Sequence, residues 1–129
     1  MKLIRIFAVF LLLHVAGWAA AHVWMSKNPN TVLVVVDTSF AMKPHFPEMQ
    51  KWLEDLQSDK RYTEVVVATD KASLGKLSEI QSKESVFRAA FGKFSVDQLQ
   101  RYESVQADEK ILLSDGNVQP GGWTVVKFD

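Results

Sequence analysis

Asp37 closes an unbroken apolar run in "TVLVVVDTSFAM", residues 31–42, and Ser39 follows two positions later. Asp115 closes a second such run in "KILLSDG", residues 110–116. Two carboxylates and a hydroxyl form an oxygen-only donor set of the kind that suits Mg²⁺, a hard cation that binds oxygens at ~2.0–2.1 Å and keeps several waters. The i, i+2 spacing of Asp37 and Ser39 lets both side chains reach one ion as the chain leaves a strand. The same residue types also tie down turns and start helices. Spacing alone leaves both roles open, capping and binding. A third acid, Asp70, ends the apolar run of "YTEVVVATD".

Other chemistries find less support. The chain has no cysteine, which excludes disulfides, zinc ribbons and thiol nucleophiles while leaving the redox compartment open. Ser39 lies in no Gly-x-Ser-x-Gly elbow, and no glycine-rich phosphate loop carries a lysine. A haloacid-dehalogenase-type phosphohydrolase would attack phosphorus with Asp37 and use an acid two residues on for proton transfer. Ser39 stands there, and a hydroxyl cannot do that work at neutral pH. His45, among prolines, reads as an exposed loop histidine, and His14 and His22 as tolerated polar positions in an apolar run. Formal charge is zero, with 15 basic and 15 acidic residues and no basic patch, so nucleic acid is a disfavoured partner.

The elements that must position these residues follow from hydrophobic periodicity. Residues 31–36 and 62–69 are continuous β-branched and aliphatic runs, the mark of strands covered on both faces, and residues 110–116 read as a third buried strand ending in another acid. Residues 121–129 read as a last strand after a Pro-Gly-Gly turn. Met49, Trp52, Leu53 and Leu56 fall at helical spacing after Pro47, which suits a first turn. Val86, Phe87, Ala90, Phe91 and Phe94 predict a short helix with one apolar face that ends near Gly92. Ser95 and Gln98 form a capping box for another. Strands alternating with helices predict an α/β fold: a three-layer, open, mostly parallel sheet, Rossmann-like in its layering. With the first strand central, the second and third pair on either side of it, and their ends open a ligand crevice at the switch point.

Residues 1–25 precede this domain. Lys2 and Arg5 are followed by an almost unbroken apolar run over residues 6–25, long enough for a hydrocarbon core of ~30 Å. One reading is a signal peptide cleaved after Ala19-Ala20-Ala21, before His22, which releases a secreted or periplasmic protein. The other is a retained single-pass anchor with Trp18 and Trp24 toward the outer interface. Either way Lys2 and Arg5 stay on the cytoplasmic side of the inner (plasma) membrane, and the domain over residues 31–129 is delivered outside the cytoplasm. Residues 26–30 are a short linker in which Pro29 blocks helix continuation.

"VLVVVDTSFAM" followed by "KILLSDG" resembles the von Willebrand factor A (vWA) domain family, over most of residues 31–129. In that family an apolar strand ends in Asp-x-Ser-x-Ser and a later one in Thr- or Ser-Asp-Gly, which together form a metal-ion-dependent adhesion site. The resemblance implies that Asp37, Ser39 and Asp115 are metal ligands for Mg²⁺ and that a partner protein docks at the crevice. Ala41 replaces the third motif hydroxyl, and Ser95 is the best candidate for the family's loop threonine. The chain is short for the family and shows no obvious small antiparallel strand after the second strand. Phe40, Met42 and Phe46 are expected to form an apolar contact patch for a protein partner. The expected protein is thus a membrane-anchored interaction module and not an enzyme, with the phosphohydrolase or a ligand-free structural remnant as alternatives.

Overall fold

The computed structural model describes the chain apart from residues 60, 61, 81, 89 and 91. A long first helix, α1 (Lys2–Lys27), has no buried residue. It is the one helix among the described residues long and apolar enough to cross a membrane. Two residues later begins β1 (Asn30–Val36). A 3₁₀ segment, Phe40–His45, runs directly into α2 (Phe46–Asp59), with Pro47 in its first turn. The remaining strands are β2 (Thr63–Thr69), β3 (Ser73–Lys76), β4 (Glu109–Ser114) and β5 (Thr124–Lys127).

The strands form one sheet in the order β3-β2-β1-β4-β5. The pairs β1–β2, β1–β4 and β4–β5 are parallel, and β3 alone runs antiparallel. β1 is central because its side chains need cover on both faces. Alternation along a strand sends successive side chains to opposite sides. Val32, Val34 and Val36 pack with Met49 and Leu53 of α2. Leu33 and Val35 pack with Leu99, Tyr102 and Leu112 on the other face. Each such fully buried aliphatic side chain contributes roughly 1.5–3 kcal/mol. The result is the expected layered α/β arrangement with a helix at its amino terminus.

Two local expectations are corrected. A small antiparallel strand does follow the second one: β3 pairs with β2 through a register shift at Val67/Ala68. Its sequence, Ser-Leu-Gly-Lys, is too short and mixed to show a period, and Gly75 at φ 113° breaks any pattern. The helix expected from about residue 84 to near Gly92 is instead a 3₁₀ segment, Lys83–Phe87. Val86, Phe87 and Ala90 pack with the α2 layer, whereas Phe94 joins the opposite layer. The segment therefore crosses from one face of the sheet to the other and presents no single apolar face. Phe91 lies outside the described residues.

The capping box forms as expected. Asp97 N–H donates to Ser95 Oγ at 3.3 Å, and Ser95 N–H donates to Gln98 Oε1 at 3.0 Å. It opens a 3₁₀ segment, Val96–Tyr102, that carries Leu99 and Tyr102 into the core.

Candidate functional site

The parallel register ends β1, β2 and β4 at one level, because Val36 pairs with both Thr69 and Leu113. The chain therefore delivers Asp37, Asp70 and Asp115 to the same rim. Backbone bonds continue the ladder one step further: Asp37 N–H donates to Leu113 O at 2.9 Å, and Asp70 N–H to Val36 O at 3.1 Å.

A cleft of about 420 Å³ opens at this rim, lined by Asp37, Ser39, Phe40, Ala41, Gly92, Lys93, Phe94, Asp115, Asn117 and Val118. It brings Asp37, Ser39 and Asp115 together, as their strand-end positions require. Asp37 is 2% exposed and Ser39 4%, whereas Asp115 is half-buried. Burial pushes the Asp37 carboxyl above its ordinary value. Hydrogen bonds from the Ser39 hydroxyl and backbone N–H pull it down, and the charges of Asp70 and Asp115 push it further up. Asp37 Oδ1 accepts from Ser39 N–H at 2.9 Å, and Asp115 accepts from both the backbone and side-chain nitrogens of Asn117. A carboxylate offers about four lone-pair directions, so these local bonds leave acceptor capacity on each acid.

The donor set matches Mg²⁺ in kind: two carboxylates and a hydroxyl line one cleft, and the charge of Asp115 adds to the upward push on the Asp37 carboxyl. Ala41 lines the same cleft with a methyl group where a third hydroxyl would extend the set. Ser95 is not among the lining residues, because its hydroxyl caps the 3₁₀ segment that follows.

The apolar patch expected from Phe40, Met42 and Phe46 does not form at the surface. Phe40 is 67% exposed, but Met42 and Phe46 are buried at 1% and 8% and belong to the α2-side core. The 3₁₀ segment turns them inward, and Phe46 packs against Phe87 at a tilt of 43°, with ring centroids 5.1 Å apart. The apolar rim of the cleft is instead made by Phe40, Phe94 and Val118.

Sequence reasoning placed Asp70 near this rim but missed the crossing segment and the contacts that Asp70 makes. The crossing segment brings Gly92, Lys93 and Phe94 over the end of β1, fixed by Phe40 N–H donating to Gly92 O at 3.2 Å. Beside the cleft, Asp70 is fully buried and accepts from Thr38 N–H at 3.1 Å, Thr38 Oγ1 at 2.7 Å and Lys71 Nζ at 2.9 and 3.0 Å. Lys71 Nζ also donates to Thr38 Oγ1 at 2.9 Å. The adjacent pair "DK" in residues 70–71 is the only sequence signal of this network.

Comparison with protein-family models, with curated proteins and with solved structures finds no match to this chain. The functional reading therefore stands on the geometry of the rim.

Proposed function

We propose that the protein is a membrane-anchored, extracytoplasmic interaction module whose strand-end cleft grips a carboxylate of a partner protein through Mg²⁺ held by Asp37, Ser39 and Asp115. The observation that carries this reading is the convergence of those three side chains on one cleft beside the exposed ring of Phe40. An acidic oxygen donor set binds a cation, and a cation with open positions binds an acidic side chain. The exposed phenylalanine beside the cleft supplies apolar contact, and aromatic side chains buried at the centre of a protein interface are among its main anchors.

The vWA-like reading gains support from the sheet itself. A central first strand carries Asp-x-Ser at its end, the later Ser-Asp-Gly strand lies beside it, and a small antiparallel strand follows the second. The anchor reading is supported by α1, which runs unbroken through Ala19-Ala20-Ala21 to Lys27 and leaves only Asn28 and Pro29 before β1. Lys2 and Arg5 favour a cytoplasmic amino terminus. In this reading the protein acts by binding and catalyses no reaction: Ser39 cannot replace the acid of a phosphohydrolase, and Asp70 is already engaged by Lys71.

Calorimetric titration of the detergent-solubilised full chain with MgCl₂ tests the metal. Saturable heat that disappears in Asp37→Ala and in Asp115→Ala is the expected result. No saturation up to millimolar metal would remove the ion from the proposal. Turnover of a generic phosphate ester, lost in Asp37→Asn, would replace it with the hydrolase.

A further inference from the structure

The end of the sheet opposite the acidic cleft is where α1 enters. Asn28 and Pro29 together span at most about 7 Å, so the start of β1 stays close to the last turn of the helix. Side-chain contacts fix that junction. His22 Nδ1 is hydrogen-bonded to the Tyr62 hydroxyl, and the two rings meet edge-on with centroids 5.3 Å apart. Tyr62 O in turn accepts from Asn30 N–H at 3.0 Å. Asp108 then ties the start of β1 to β4: its Oδ2 accepts from Thr31 N–H and its N–H donates to Thr31 O, each at 2.8 Å.

A cleft of about 610 Å³ lies at this same end, where β4 and β5 begin. It is lined in part by Gly121, Gly122, Trp123 and Lys110, and the Lys110 ammonium lies 5.8 Å from the Trp123 ring centre. Tyrosine and tryptophan are the residues that settle at the headgroup level of a bilayer.

We propose that the His22–Tyr62 contact holds the domain upright on its anchor, with the Trp123 end of the sheet resting on the lipid headgroup layer. The inference rests on α1 being retained in the membrane. Seven residues of β1 rising ~3.3 Å each then lift the Asp37 cleft about 23 Å above that layer. The cleft is offered to a partner arriving from the aqueous side, while the opposite end is occupied by lipid. The contact is set by the short tether and the aromatic rings.

The absence of native cysteine makes the test direct. Full-length Gly121→Cys and Lys93→Cys proteins carry a fluorophore at opposite ends of the domain. A Cβ at Gly121 meets nothing within 4 Å, and Lys93 is exposed. Each is reconstituted into phosphatidylcholine vesicles with and without lipid bearing a headgroup quencher. The expected result is quenching at position 121 and none at position 93. Adding His22→Ala should bring the two positions closer together. Equal quenching at both positions in the parent would overturn the orientation, and an unchanged contrast in His22→Ala would overturn the clamp. Loss of the full chain from the vesicles under alkaline extraction would instead defeat the anchor reading, before any label is compared.

Discussion

The Lys71 ammonium lies 2.9 Å from Oδ2 of Asp70, and that carboxylate is fully buried at the end of β2. Thr38, one residue after Asp37, hydrogen-bonds to both partners. The pair thus pins the loop that carries the acidic cleft to the neighbouring strand.

Removing one partner of a buried pair leaves an uncompensated charge, which costs about 3–5 kcal/mol. Lys71 retains some exposure, so Lys71→Met should sit at the low end, at roughly 3 kcal/mol. Combining it with Asp70→Asn should recover part of the loss. Urea unfolding of the parent, Lys71→Met and the double variant checks this. Equal stability of parent and Lys71→Met would mean that water already compensates Asp70.

Asp37 gives a pH signature. Burial raises its carboxyl in the folded state, so the folded protein keeps that proton to a higher pH than the unfolded chain, whose value is near 3.8. The stability this supplies is complete below the unfolded value and is lost as pH rises through the folded one. In metal-free protein the melting temperature of Asp37→Asn should therefore gain on the parent from about pH 3.8 upward, and then level off. A gap that is constant with pH, or that shrinks as pH rises, would contradict the assignment. With Mg²⁺ bound the order should reverse, because only the carboxylate holds the ion.

Lys93 lines the same cleft as Asp37 and Asp115, so it adds positive charge to the site proposed for the metal. In water a unit charge about 4 Å from a divalent cation is repelled by roughly 2 kcal/mol, and by less at greater distance. Lys93→Ala should accordingly tighten Mg²⁺ binding several-fold, with the gain shrinking as salt is added. Weaker binding would show that Lys93 orders the cleft more than it repels the ion.

Gly116 turns the chain after Asp115 at φ 82°, in the left-handed region. An added Cβ would also come within 2.9 Å of Lys127 Cγ on β5. Gly116→Ala should cost about 1–2 kcal/mol and should weaken metal binding through Asp115. A fully stable variant that binds metal normally would separate the turn from the site.

What the residue pattern revealed was whatever repeats. The unbroken runs of β1, β2 and β4 show their double burial directly, and the helical spacing in α2 is equally plain. Their parallel register then places Asp37 and Asp115 at one rim, so the acids could be located from their strand-end positions. The small features were hidden because each depends on one contact rather than a period. β3 is four residues with a glycine inside, and Met42 and Phe46 point inward only because the 3₁₀ segment winds toward α2. The segment that caps the cleft crosses layers, so its apolar residues serve two cores and mimic a helix face in sequence.

The bond from Asp37 N–H to Leu113 O is made by backbone atoms, and so it forms whatever side chain stands at position 37. The scaffold does not need the acid to close the rim. Substitutions at positions 37, 39 and 41 can therefore alter the chemistry of the rim while the strand ends stay where they are. Backbone bonds carry its architecture, and side chains alone carry its chemistry.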